Sequence, residues 1–247
     1  MNRAKRQDRK KSDELNQALV NPGVRWNNGK KKAVSIAYVG GLAEHAELAP
    51  NLLADLDMKA TFYVDATEVL EHSELWTPLA TSGHEFGCAP LESQSFDGAL
   101  YGWTVHALID ELGLGRSFVN EFFGVEPVGF AHRSRSITLD GVSMNAVGQS
   151  MFDHVLTGDQ AINGLEANVL KLSTESMHDY TREWFAPCED PDNLEWLIIT
   201  VRKMYTESNS HVLLHRLLLE QLHRQRTELW IAPVGVVARE LDQIQSR

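Results

Sequence analysis

Apolar positions along this chain fall into short runs of strand length separated by longer stretches with helical spacing. Ala33 to Gly41, AVSIAYVGG, alternates Val34, Ile36 and Tyr38 with small or polar residues until Gly40-Gly41 ends the run, so it reads as a strand entering a tight turn. Leu42, His45, Leu48, Leu52, Leu53 and Leu56 then recur at the spacing of one helix face. Lys59 to Val64, KATFYV, is a second strand. Strand, helix and strand within about thirty residues make the βαβ unit of a parallel sheet. In such sheets chemistry gathers where the strands end. The first strand ends on Val39, Gly40 and Gly41, none of which carries a catalytic group.

The alternation continues downstream. Ala66 to Thr81 reads as a helix interrupted at Pro78, and Gly83 to Cys88 as a short strand leaving a turn. Residues 89–103 read as a loop long enough to line a site. Thr104 to Phe123 has helical spacing with an expected break at Gly113 and Gly115. Pro127 to Ala131 predicts a strand, Arg133 to Ser136 a polar turn, and Phe152 to Leu156 another strand. Residues 157–195 show no clear period. Trp196 to Val201, WLIITV, is continuously apolar, as a strand buried on both faces requires. His211 to Gln225 predicts a helix, Leu229 to Ala232 a strand, and Val234 to Ile244 a closing helix. Apolar strands alternating with helices imply an α/β fold, either a barrel or a doubly wound sheet.

Composition narrows the class. The 247 residues, 43% hydrophobic and 23% charged, suit one soluble α/β domain. No run approaches the roughly 18 apolar residues of a membrane helix, and no apolar segment follows the basic start, so neither a membrane span nor a secretory signal is expected. Cys88 and Cys188 are too few for a disulfide framework and are expected to be free thiols in a reducing, cytoplasmic setting. The net charge of −11 is uneven. Residues 1–32 carry about +7 and the remainder about −18. We therefore expect a basic, flexible N-terminal extension over 1–32, followed by one domain over 33–247. The acidic body argues against a nucleic-acid groove.

Several stretches together resemble the polysaccharide deacetylase family, the NodB-homology domain of carbohydrate esterase family four. That family's first strand reads like ALTFDDG and its second like ATFFV; here they read SIAYVGG and Ala60-Thr61-Phe62-Tyr63-Val64. Its second signature, AGHEIGNHTxxHP, corresponds to SGHEFGCAPLES over Ser82 to Ser93, and its terminal strand and helix to LWIAPVGVVARE over Leu229 to Glu240. The resemblance covers 33–90 and 196–240 and is poor between 131 and 195. It implies a distorted (β/α) barrel. It also implies a metal-dependent removal of acetyl groups from N-acetylated sugars, with an Asp and two His on the metal, an Asp base and a His acid.

Carried over position by position, that machinery is missing. The base falls on Val39, the metal-binding Asp on Gly40, the paired imidazoles on Ala89 and Ser93, and the acid on Arg202. The family's substrate-side Arg/Pro motif falls on Ala131-His132-Arg133-Ser134. Val, Gly and Ala offer no side-chain lone pair, Ser is a poor neutral ligand, and Arg does not act as an acid near neutral pH. The expectation is a protein without catalytic residues, metal or other cofactor. It would keep a vestigial cleft lined by Tyr38, Val39, Gly40, His45, Cys88, His132, Arg133 and Arg202. Such a cleft would bind a carbohydrate or a protein partner.

Other residues offer a rival. His45, His132 and Cys88, with Glu44 and Glu47, would converge on a rebuilt hydrolase site if all faced the barrel mouth. Against this, Cys88 also reads as a small residue packed behind the loop. His211 and His215 are four apart with His223 further along, a weak metal pattern that reads better as helix surface. His84 reads as a structural hydrogen-bonding residue. Trp103, Trp184 and Trp196 offer sugar-stacking faces or core packing. Gly40-Gly41 lacks the glycine spacing of a phosphate loop.

Overall fold

A computed structural model describes residues 24–26, 28–89, 102–132, 138–177, 194–204 and 210–247. Its elements, in chain order, are β1 (Lys32–Gly40), α1 (Ala43–Asp55), β2 (Thr61–Val64), α2 (Ala66–Glu71), α3 (Ser73–Trp76), a 3-10 turn (Thr77–Thr81) and β3 (Glu85–Cys88). There follow α4 (Val105–Phe123), β4 (Gly129–Ala131), a small hairpin of β5 (Thr138–Leu139) and β6 (Val142–Ser143), α5 (Met144–Gln149) and β7 (His154–Leu156). The chain ends with β8 (Glu175–Ser176), β9 (Glu195–Val201), α6 (Ser210–Arg224), β10 (Leu229–Ile231) and α7 (Val234–Gln245). The expected loop over 89–103 and turn over 133–136 lie almost wholly outside the described residues, as do Ser93, Trp184 and Cys188. Of the expected extension, residues 1–23 lie outside them. Trp26 does not behave as part of a tail: it is 2% exposed and its ring sits 5.6 Å from that of Trp230.

The main sheet is parallel throughout, in the order β7-β4-β3-β2-β1-β9-β8, with β10 beside the first half of β1 below β2. It curls, and the segment after β7 closes the gap. Leu172 exchanges backbone hydrogen bonds with β7, through Leu172 N–H to Val155 O and Thr157 N–H to Leu172 O. A few residues on, β8 pairs with β9. Asn163 braces this closure: its backbone pairs with Trp196, and its side chain donates to Ser173 O at 2.9 Å and accepts from Ser173 N–H at 3.0 Å. The two edges of an open sheet are thereby mostly satisfied.

Alternation along the strands divides the core in two. Val34, Ile36 and Tyr38 face outward into a layer with Leu53 of α1, Leu108, Leu112 and Val119 of α4, and Leu218 and Leu222 of α6. Ala33, Ala37 and Val39 face inward with Tyr63, Ala89, Ala131, Leu156, Trp196 and Ile198. Helix α7 contributes Val234, Val237, Ala238 and Leu241 to this inner layer, so it stoppers the amino end of the barrel. Glu85, the first residue of β3, holds the stopper. It accepts from Gly235 N–H at 2.8 Å and from the Thr61 hydroxyl at 3.1 Å, and pairs with Arg239 at 3.3 Å. A carboxylate at a helix start satisfies N–H groups that have no partner within the helix.

Two buried tyrosine–histidine pairs cross the layers. Inside the barrel the Tyr63 hydroxyl meets His154 Nε2 at 2.5 Å, in space kept open by two glycines. A Cβ on Gly87 would stand 2.6 Å from the Tyr63 ring, and one on Gly129 2.3 Å from His154 Nε2. Outside, the Tyr38 hydroxyl meets His215 Nε2 at 2.7 Å, and His45 Nε2–H donates to Arg202 O at 3.0 Å. Burial disfavours the imidazolium form and pushes His45 down to about 3, His154 to about 3 and His215 to about 4.

Two expectations are corrected by packing. Helix α4 runs unbroken past Gly113 and Gly115, because Thr104 caps its start, Gly124 in the left-handed region closes its end, and its apolar face is buried. His215 is core, not helix surface: it is fully enclosed, turned toward Tyr38. His84 does accept a backbone hydrogen bond, from Ala60 N–H at 3.2 Å.

Replacing Glu85→Ala leaves Gly235 N–H and the Thr61 hydroxyl short of an acceptor. We expect a loss of about 1–3 kcal/mol in urea unfolding; an unchanged midpoint would refute the stopper role. The histidines predict a pH dependence. The unfolded chain binds protons near pH 6.5 that the folded chain refuses, so their stabilisation is complete above 6.5 and drains as pH falls toward 4. Each contributes a slope of about 1.4 kcal/mol per pH unit. The urea midpoint should fall steeply between pH 6.5 and 5, and a flat profile there would contradict the burial of neutral imidazoles.

Candidate functional site

The carboxyl ends of the strands form the barrel mouth, where an enzyme of this architecture would place its chemistry. β1 ends on Gly40 and Gly41, both with positive φ (119° and 73°). Position 41 demands glycine twice over, since a Cβ there would lie 3.1 Å from Asp65 N and 3.3 Å from Val69 Cγ2. This close approach presses the turn after β1 against the end of β2. Asp65 is 3% exposed and caps α2, accepting from Thr67 N–H at 2.9 Å. Partial burial, with the charge of Asp65 added to it, raises the carboxyls of Glu68 on α2 and Glu111 on α4. An acidic rim of Asp65, Glu68 and Glu111 thus lies beside the mouth. Nothing in the spacing of these three residues marks them as neighbours; the register of β2 and the packing of α4 bring them together. Among the described residues, no three His, Cys, Asp or Glu are grouped so as to share a metal ion.

The residues expected to line one cleft divide between the two sides of the sheet. Val39, 2% exposed, and Ala89, fully buried, face inward in one apolar cluster with Tyr63, Ala131 and Leu156. Tyr38 is fully enclosed on the opposite side, with its ring stacked 4.7 Å from Phe62, so it does not line a cleft with Val39. Cys88 pairs with Val64 and belongs to the same outer layer; burial pushes its thiol up to about 12 and leaves it protonated and free of any disulfide. His45, also fully enclosed, is spent on the chain leaving β9, where Arg202 O takes its Nε2–H, while neighbouring Glu44 accepts from Met204 N–H. Arg202 is half-buried at the end of β9. His132 is 4% exposed and turned to α5, donating from Nε2 to Asn145 Oδ1 at 2.6 Å. Arg133 lies outside the described residues.

His45, His132 and Cys88 are therefore committed to different elements and form no nucleophile–base arrangement. Trp196 is core, its indole N–H donating to Ser35 Oγ at 3.0 Å, and Trp103 packs partly buried against the outer layer. The inner Tyr63–His154 pair escaped sequence reasoning. Its one sequence signal was glycine in strand interiors, at Gly87 and Gly129, where close approach of another group is the usual cause.

No protein-family model matches the sequence, and no curated protein does. Solved structures do match. A Mycobacterium smegmatis protein that bears the polysaccharide deacetylase name aligns with a TM-score of 0.59 at 15% identity, over 91% of this chain and 95% of its own. The family 4 carbohydrate esterase from Bacillus anthracis aligns at 0.51 and 12% identity, over 92% of each chain. A mutant of a CE4 family pseudoenzyme with restored enzymatic activity aligns at 0.50 and 14%, over 89% of this chain and 72% of its own. Identities this low speak for architecture alone. The chain has the distorted (β/α) barrel of the polysaccharide deacetylases.

Proposed function

We propose that this chain is a non-catalytic protein built on the deacetylase barrel, which binds a carbohydrate or a protein partner at the barrel mouth and does not deacetylate. The observation that carries this reading is the burial of Val39 and Ala89 in one apolar cluster at the strand ends, where the resemblance expects a base and a metal ligand. The donor set does not fit a divalent ion, which needs carboxylate or imidazole ligands. Without an ion or a base, an amide carbonyl at the mouth has nothing to polarise it and no activated water to attack it. The half-buried carboxylates of Glu68 and Glu111 beside the mouth can accept hydrogen bonds from hydroxyl or amine donors.

The test is direct. Full-length protein incubated with N-acetylated chitin and peptidoglycan oligosaccharides, with Zn, Mn, Co or Ni added in turn, should release no acetate above a heat-treated control. Metal analysis of the purified chain should find less than stoichiometric ion. Acetate release abolished by a chelator, or one tightly held ion per chain, would overturn the proposal and favour a hydrolase with a rebuilt site.

A further inference from the structure

Helices α1 and α6 both end at the amino side of the barrel, beside the start of β10, and a cleft of about 230 Å³ opens there. That is smaller than the roughly 300–1,000 Å³ of clefts for drug-sized ligands, so its occupant is a smaller molecule.

Three charged side chains line the cleft without pairing to one another. Lys30 comes from the turn before β1, where Asn28 Oδ1 holds its backbone N–H at 3.1 Å. Asp57 comes from the turn after α1 and Arg226 from the turn after α6. None of the three makes a side-chain hydrogen bond or ion pair among the described residues. Asp57 and Arg226 are exposed and Lys30 is half-buried, so a ligand can reach all three charges. The half-buried ring of His223 adds an acceptor: Leu56 O takes its Nδ1–H at 3.0 Å, which leaves the lone pair on Nε2.

These groups select by charge. A lone anion between Lys30 and Arg226 meets the carboxylate of Asp57 and the negative ends of the α1 and α6 dipoles. A lone cation meets the two basic side chains. A molecule with a carboxylate and an ammonium on one carbon answers both sets, carboxylate toward Lys30 and Arg226, ammonium toward Asp57 and His223 Nε2. Leu56, Trp230 and Ile231 are half-buried in the same walls, and Trp230 is braced by Trp26 at 5.6 Å. They offer an aliphatic side chain a surface to cover. We propose that this cleft binds a free α-amino acid with an apolar side chain. The site lies at the opposite end of the barrel from the mouth and is independent of what the mouth binds.

Titration of the 15N-labelled full chain with L-leucine, followed by two-dimensional NMR, tests this. The Trp230 indole N–H, assigned by its loss in Trp230→Phe, should shift and saturate in the millimolar range. 3-Methylbutylamine, which lacks the carboxylate, and 4-methylpentanoate, which lacks the amine, should each bind about tenfold more weakly or worse. Asp57→Asn, a change that the positive φ of 52° tolerates, should weaken leucine binding about tenfold while sparing 4-methylpentanoate. Lys30→Gln combined with Arg226→Gln should weaken leucine by about as much while sparing 3-methylbutylamine. Both variants should melt at the unchanged temperature. No saturable shift, equal or tighter binding of either analogue, or leucine binding that survives both variants would overturn the proposal. None of those outcomes bears on acetate release at the mouth.

Discussion

The carboxylate of Glu85 is where the wall of this barrel and its stopper are joined. A curled parallel sheet has an inner face that must be filled, and a helix brought across one end presents bare N–H groups to that interior. Glu85 meets both needs from the first position of β3, accepting from Gly235 N–H and Thr61 while pairing with Arg239. Gly235 is part of the fit, since a Cβ there would sit 3.0 Å from both carboxylate oxygens. With α7 fixed in this way, Val234, Val237, Ala238 and Leu241 complete the inner layer, and the strand ends at the far side are free to carry a site.

The period of two in a strand explains why a plausible list of site residues failed to assemble. Tyr38 and Val39 are adjacent in sequence, yet one belongs to the layer under α1, α4 and α6 and the other to the barrel interior. Cys88 and Ala89 divide in the same way. Reading strand ends as clusters ignores this parity. The polar residues among them, His45 and His132, found partners in neighbouring elements, as buried polar groups do.

Much of the fold was legible because its signals are local. The run of Val34, Ile36 and Tyr38, the continuous WLIITV and the capped helices mark strands and helices by period alone, and their order implies a parallel barrel. The barrel closure was not legible. Leu172, Asn163 and β8 reach their partners through single bridges and very short strands, which leave no periodic trace in 157–195. Nor was the continuity of α4 through Gly113 and Gly115, where burial of Leu108, Leu112, Val119 and Phe123 outweighs a local cost of about 1 kcal/mol per glycine. At the candidate site the sequence showed residues without a side-chain lone pair at Val39, Gly40 and Ala89. The acidic rim and the Tyr63–His154 pair exist only once the chain is folded.

An apolar mouth also changes the energetics of the barrel. Two adjacent carboxylates at the end of β1, beside the capping carboxylate of Asp65, would repel one another and resist the burial that Val39 accepts at 2% exposure. A bound cation offsets that repulsion, so a barrel that carries such carboxylates is strained whenever the ion is absent. Val39 and Ala89 instead join Tyr63, Ala131 and Leu156 in a layer that needs no ligand to be stable. Sites built for chemistry are commonly held against the grain of stability. In this chain the end of β1 follows the grain, and the polar groups beside it are those of Glu68 and Glu111.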